Sequence, residues 1–113
     1  MSRTFEFRTH RRMPITCFVD YVGEGLIGTG VTQDFSVDGW RIKAFKSQPI
    51  KVGMRLALRV NLPNQHIPIE IEMATVQWVD RREFGVHVVG MSSEVEARIT
   101  QFIESVANLR EAI

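Results

Sequence analysis

Two short stretches hold residue types whose spacing could do chemistry. The first is Arg8-Thr9-His10-Arg11-Arg12, with arginines four apart ahead of the first apolar run. Residues 1–12 carry Arg3, Arg8, Arg11 and Arg12 against Glu6 alone, while the whole chain is only +1, so the remainder is net negative. A compact cationic segment on a near-neutral body suits one local anionic partner, and a plain solubilising tail accounts for it equally well. The second stretch is Asp34-Phe35-Ser36-Val37-Asp38-Gly39. Asp and Ser can hydrogen-bond their own backbone, and Gly tolerates φ > 0 and close approach. On these six residues alone an ordinary strand–turn–strand corner is the simplest reading.

Other chemistries find little support. His10, His66 and His87 fall in separate segments, and Cys17 sits in an apolar alternation facing the core. The sequence has no Ser/His/Asp order, no H-E-x-x-H and no Gly-rich phosphate loop, so catalysis is not expected. One cysteine excludes an internal disulfide and offers no metal pattern, so neither metal nor cofactor is expected. The absence of an eighteen-residue apolar run argues against membrane insertion. The Arg-rich start lacks the apolar core of a signal peptide. A reducing cytoplasm is the expected location. The small net charge and the concentration of arginines at one end speak against a polymeric nucleic-acid partner, which would need basic and aromatic residues interleaved on one face.

The elements that must position the two stretches are strands. With 113 residues, 44% of them apolar, the chain is expected to form one domain with a modest core. Ile15, Cys17, Val19 and Tyr21 alternate with polar or outward residues, a period of two. Gly23-Glu24-Gly25 turns the chain into a second strand, Leu26 to Asp34, where Gly28 and Gly30 suggest a bulge or barrel corner. Trp40, Ile42 and Ala44 form a third strand, with Trp40 read as core. After a loop anchored by Ile50 and Val52, Met54 to Leu62 alternates most cleanly. Ile67, Ile69, Ile71 and Met73 are apolar at odd positions and Val76 and Trp78 at even ones, so a bulge is expected near Ala74-Thr75. Phe84, Val86 and Val88 make a sixth strand. From Ser92 the period becomes helical. Val95, Ile99, Phe102, Val106, Leu109 and Ile113 form one stripe, and Ser93 with Glu96 reads as a capping box. The helix, about 92–111, must bury that stripe on one mouth of its own barrel or against a partner, which leaves a weak homodimer open. The expected fold is mainly β: a six-stranded antiparallel barrel spanning 14–113 with one C-terminal helix, preceded by a flexible basic arm, 1–13.

The pairing of Arg8-x-x-x-Arg12 with Asp34-x-Ser36-x-x-Gly39 about twenty residues later resembles the signature of PilZ domains. So do the segment around Ala74 and the Phe84-Gly85-Val86 step, so the resemblance covers nearly the whole chain. It implies a split-barrel fold and a bacterial receptor for cyclic di-GMP. It assigns the ligand to Arg8, Arg12, Asp34, Ser36 and Gly39, with Arg11 supporting and Trp78 placed where a family aromatic lies under the ligand. The chemistry is apt. Arginine pairs bidentately with phosphate or with guanine O6 and N7 and stacks on bases. An ionised Asp34 accepts from guanine N1–H and N2–H₂ or orients an arginine. Phe7, just before the motif, favours one bound ligand over an intercalated pair. The arm would become ordered over the barrel on binding and so signal to an effector protein controlling motility, biofilm or exopolysaccharide. The alternative is a PilZ-like interaction adaptor with weak or no nucleotide binding.

Overall fold

The computed structural model describes the backbone of residues 14–112 and the side chains of residues 14–109. Arg8, Arg11 and Arg12 therefore lie outside the described residues, as do Phe7 and Ile113. Six strands follow in order: β1 Phe18–Gly23, β2 Leu26–Phe35, β3 Gly39–Ala44, β4 Arg55–Asn61, β5 Ile69–Asp80 and β6 Glu83–Gly90, and then α1 Ser93–Ala112. They close into an antiparallel barrel in the order β1-β2-β3-β6-β5-β4, with β4 returning to β1. Closure satisfies every strand edge. Alternate side chains fill the interior. Val19, Tyr21, Phe35, Trp40, Ile42, Leu56, Ile69, Ile71 and Phe84 are all buried there.

The β1–β2 connection is two residues long, with Glu24 at φ 50° and Gly25 at φ 80°. Two successive positive φ values match the twist of a tight hairpin. Ladder pairing in β1 starts at Phe18, later than the alternation that begins at Ile15. The earlier residues are held by β2 instead: Thr32 N–H donates to the Cys17 carbonyl (2.8 Å), Cys17 N–H to Thr32 Oγ1 (2.9 Å) and Thr32 Oγ1 to the Ile15 carbonyl (2.7 Å). These bonds explain how Thr32 can be a fully buried hydroxyl.

Several expectations shift in position. The bulge in β2 is not at Gly28 or Gly30, whose pairing with Tyr21 and Val19 is unbroken. It lies between Thr32 and Asp34, where Gln33 is the extra residue against β3. The two glycines answer to packing, since a Cβ at Gly28 would strike the Tyr21 ring and one at Gly30 the Lys43 carbonyl. In β5 the bulge expected near Ala74-Thr75 is present: Glu72 and Met73 both face outward, and the pairing with β6 shifts between Met73 and Ala74. A second irregularity lies between Val76 and Trp78. In the β3–β4 loop Ile50 is buried but Val52 is exposed, so of the two only Ile50 anchors it, helped by Gln48, which accepts from the Tyr21 hydroxyl and donates to the Ile27 carbonyl.

Helix α1 closes one mouth of its own barrel. Its buried seam is Ile99, Ile103 and Ala107, spaced four apart, flanked by the half-buried Val95, Phe102 and Val106. Phe102 meets Phe35 edge to face at 6.2 Å. Leu109, assigned to the stripe by spacing, is 64% exposed. The cap is Ser92 rather than Ser93: its hydroxyl accepts from Val95 N–H (3.1 Å) and its carbonyl from Glu96 N–H (3.0 Å). Arg98 ties the helix to the β4–β5 loop by donating to the Ile67 and Pro68 carbonyls and to Gln65 Oε1.

Candidate functional site

The site grows from the β2–β3 corner. Its backbone is held by Ser36, which is fully buried. The Ser36 hydroxyl accepts from Gly39 N–H (3.0 Å) and donates to the Gly39 carbonyl (2.8 Å), with Asp38 Oδ1 at 3.2 Å. Ser36 N–H also donates to the Gly39 carbonyl, and the Trp40 indole N–H donates to the Ser36 carbonyl (3.0 Å). Beneath the corner the rings of Phe35 and Trp40 pack at 4.8 Å. The Asp38 carbonyl accepts from Val88 N–H, stitching the corner to β6. Ser36 and Asp38 thus serve the turn in this structure. Gly39 opens β3 opposite His87, and its φ is not in the left-handed region, which among the glycines is occupied by Gly25 and Gly53. Gly39 is buried, and what glycine supplies there is a backbone position with no side chain.

The bulge at Gln33 sets Asp34 opposite Arg41. Asp34 Oδ2 lies 3.6 Å from Arg41 Nε, with the two side chains 29% and 42% exposed. An ion pair that open adds little to stability. Arg41 is in turn opposite Gly85 of β6, and Gly85 opposite Trp78 of β5. The result is one continuous outer row, Asp34–Arg41–Gly85–Trp78, crossing four strands and about 14 Å at roughly 4.8 Å per strand. The Trp78 indole lies across Gly85, where any Cβ would collide with its ring nitrogen. Trp78 keeps 40% of its surface exposed, whereas Trp40 is core. The sequence reading brought Asp34 and Trp78 forward separately; the barrel places them on one face. It missed Arg41, whose only local mark is its position two residues after Gly39.

Among the described residues no group of three or more His, Cys, Asp or Glu could hold a metal ion, and no helix is long and apolar enough to cross a membrane. A shallow groove lies on another part of the wall, among Asp20, Val22, Ala57, Arg59 and Glu70, where Arg59 Nη2 pairs with Glu70 at 3.1 Å. It contains none of the motif residues. Burial pushes the Cys17 thiol above its ordinary 9.0, an effect that the Thr32 hydrogen bond only partly offsets. Burial likewise raises the Tyr21 phenol.

A closed six-stranded antiparallel barrel capped by a C-terminal helix defines the fold class. The PilZ domain family model matches residues 6–105, and the chain belongs to that family. PilZ domains are effector domains for cyclic di-GMP, not enzymes. Solved structures share the fold. The PilZ domain of YcgR from Escherichia coli, determined with c-di-GMP, is 18% identical over 94% of each chain, with a TM-score of 0.75. The Bacillus subtilis inhibitor of motility MotI is 17% identical over 89% of this chain, with a TM-score of 0.74, and this chain spans 52% of its length. The PilZ domain of CeSA from a cellulose-synthesizing bacterium is 20% identical over 86% of this chain and 98% of that one, with a TM-score of 0.67. No curated protein matches the sequence.

Proposed function

We propose that the protein is a cyclic di-GMP receptor that binds one ligand per chain on the outer face of β2, β3, β6 and β5. The observation that carries this reading is the outer row that sets Asp34, in its Ser-locked corner, on the same face as the exposed Trp78. Arg8 and Arg12, with Arg11 in support, clamp the phosphates and a guanine from the arm. Asp34 accepts from a guanine or orients an arginine, Ser36 and Gly39 shape the backbone that the ligand approaches, and Trp78 stacks on a base. Binding fixes the cationic arm, residues 1–13, over the barrel. That new surface is read in the cytoplasm by an effector protein of the motility, biofilm or exopolysaccharide machinery. The YcgR domain with c-di-GMP and the motility inhibitor MotI support this reading by analogy.

Tryptophan fluorescence tests it, because Trp40 is sealed in the core and Trp78 is open. Titration with cyclic di-GMP is expected to give a saturable change at micromolar concentrations, absent in Trp78→Phe. A wild-type signal that stays flat into the millimolar range would overturn the placement of the ligand on this face.

A further inference from the structure

Arg41 is the charged residue of this row that neither motif contains. It occupies the middle of the row, between Asp34 on one side and Gly85 with its covering Trp78 on the other. Its Nε is buried and has no hydrogen bond, and Asp34 Oδ2 at 3.6 Å is an ionic neighbour beyond hydrogen-bonding range. The carbonyl oxygen of the Gln33 side chain is also buried without a partner. Among the described residues these are the two buried side-chain polar atoms left unsatisfied, and both belong to the same bulge. Native proteins leave few such groups, and those that remain call for an explanation. The Arg41 side chain as a whole is 42% exposed, two strands from the open Trp78 ring, which suits a ligand with planar, polar edges.

We infer that Arg41 reads the guanine edge of the ligand held on Trp78, donating from its guanidinium fork to the base's O6 and N7 while Asp34 positions the guanidinium. The inference rests on the cyclic di-GMP reading above and adds a specificity-determining residue to it. Gly85 is the only position between the two side chains along the row, and it has no side chain to separate them. A purine stacked on the indole therefore presents its edge toward β3. Guanine offers two acceptors there, whereas adenine offers one acceptor and an amino group that repels arginine. Stacking on Trp78 is indifferent to which base is present. Discrimination must then come from the edge, and Arg41 is the cation of that row.

Calorimetry with cyclic di-GMP and its 7-deazaguanine analogue, which lacks the N7 acceptor, separates these roles. Wild type is expected to prefer cyclic di-GMP by about tenfold, in line with one lost arm of a bidentate pair. Arg41→Lys, which keeps the charge but not the fork, should bind both ligands with nearly equal affinity. Arg41→Ala should do the same at lower affinity. Trp78→Ala should weaken both ligands and keep the preference. Retention of the wild-type preference in Arg41→Lys, or no preference in wild type, would overturn the inference while leaving the receptor reading intact. Failure of wild type to bind either dinucleotide would overturn the receptor reading itself.

Discussion

Ser36 illustrates how a motif residue can act through structure. Its hydroxyl both accepts and donates within the corner, and no water reaches it. Ser36→Ala strands the Gly39 N–H, while the Gly39 carbonyl keeps its bond from Ser36 N–H, so a loss of about 1–3 kcal/mol in urea-unfolding free energy is expected, along with any effect on binding. Gly85 acts by being small. Gly85→Ala forces the Trp78 ring away from the sheet, and a cost of about 1–3 kcal/mol is expected, together with a shift in tryptophan emission. Cys17 makes the pH prediction. Its folded thiol holds its proton above the ordinary value of 9.0, where the unfolded chain gives its proton up. The contribution is therefore complete below pH 9.0 and is lost as pH rises toward the folded value. Tyr21 is raised from 10.0 in the same sense and extends the loss at higher pH. Urea midpoints measured from pH 8 to 11 should fall less steeply for Cys17→Val than for wild type. At this scale the corner was legible in sequence because turn chemistry is local. Arg41 was not, because its pairing with Asp34 depends on a bulge at Gln33 that no short-range pattern marks.

At the scale of elements, two kinds of signal behaved differently. Period-two alternation placed five of the six strands, since one buried face imposes it directly, and β2 was read from the turn that precedes it. Irregularities were harder to place. Gly28 and Gly30 read as a bulge but are small because Tyr21 and the Lys43 backbone press on them. The real bulge uses Gln33, a residue with no turn signature. In β5, by contrast, the flip of parity marked the bulge, although Met73, apolar by type, faces outward. In α1, spacings of three and four from Val95 lead to Phe102 or to Ile103, and only contact with the barrel decides between them. Ile103 takes the fully buried position. Ile103→Ala should therefore cost about 2–5 kcal/mol, whereas Leu109→Ala should stay within about 0.5 kcal/mol of wild type, as thermal or urea unfolding can check.

For the molecule as a whole, the barrel supplies a rigid wall with no free strand edge, and the motif residues that it carries meet on one side of that wall. The helix spends its apolar seam on the barrel mouth. Under the proposed reading, signalling falls to the outer face together with the arginine-bearing segment that precedes β1. The family match begins at residue 6 and so includes the motif arginines Arg8 and Arg12, and Arg11 between them. If that arm and that face hold one cyclic di-GMP, ligand at a hundred times its Kd should raise unfolding free energy by about 2.7 kcal/mol, seen as a higher Tm. The most direct measurement is isothermal titration calorimetry of cyclic di-GMP against wild type and Arg12→Ala. The account expects saturable binding in the wild type, micromolar or tighter, at one ligand per chain, and its loss in a mutant that remains folded. Heats no larger than dilution in folded wild-type protein, or equal binding by Arg12→Ala, would contradict it.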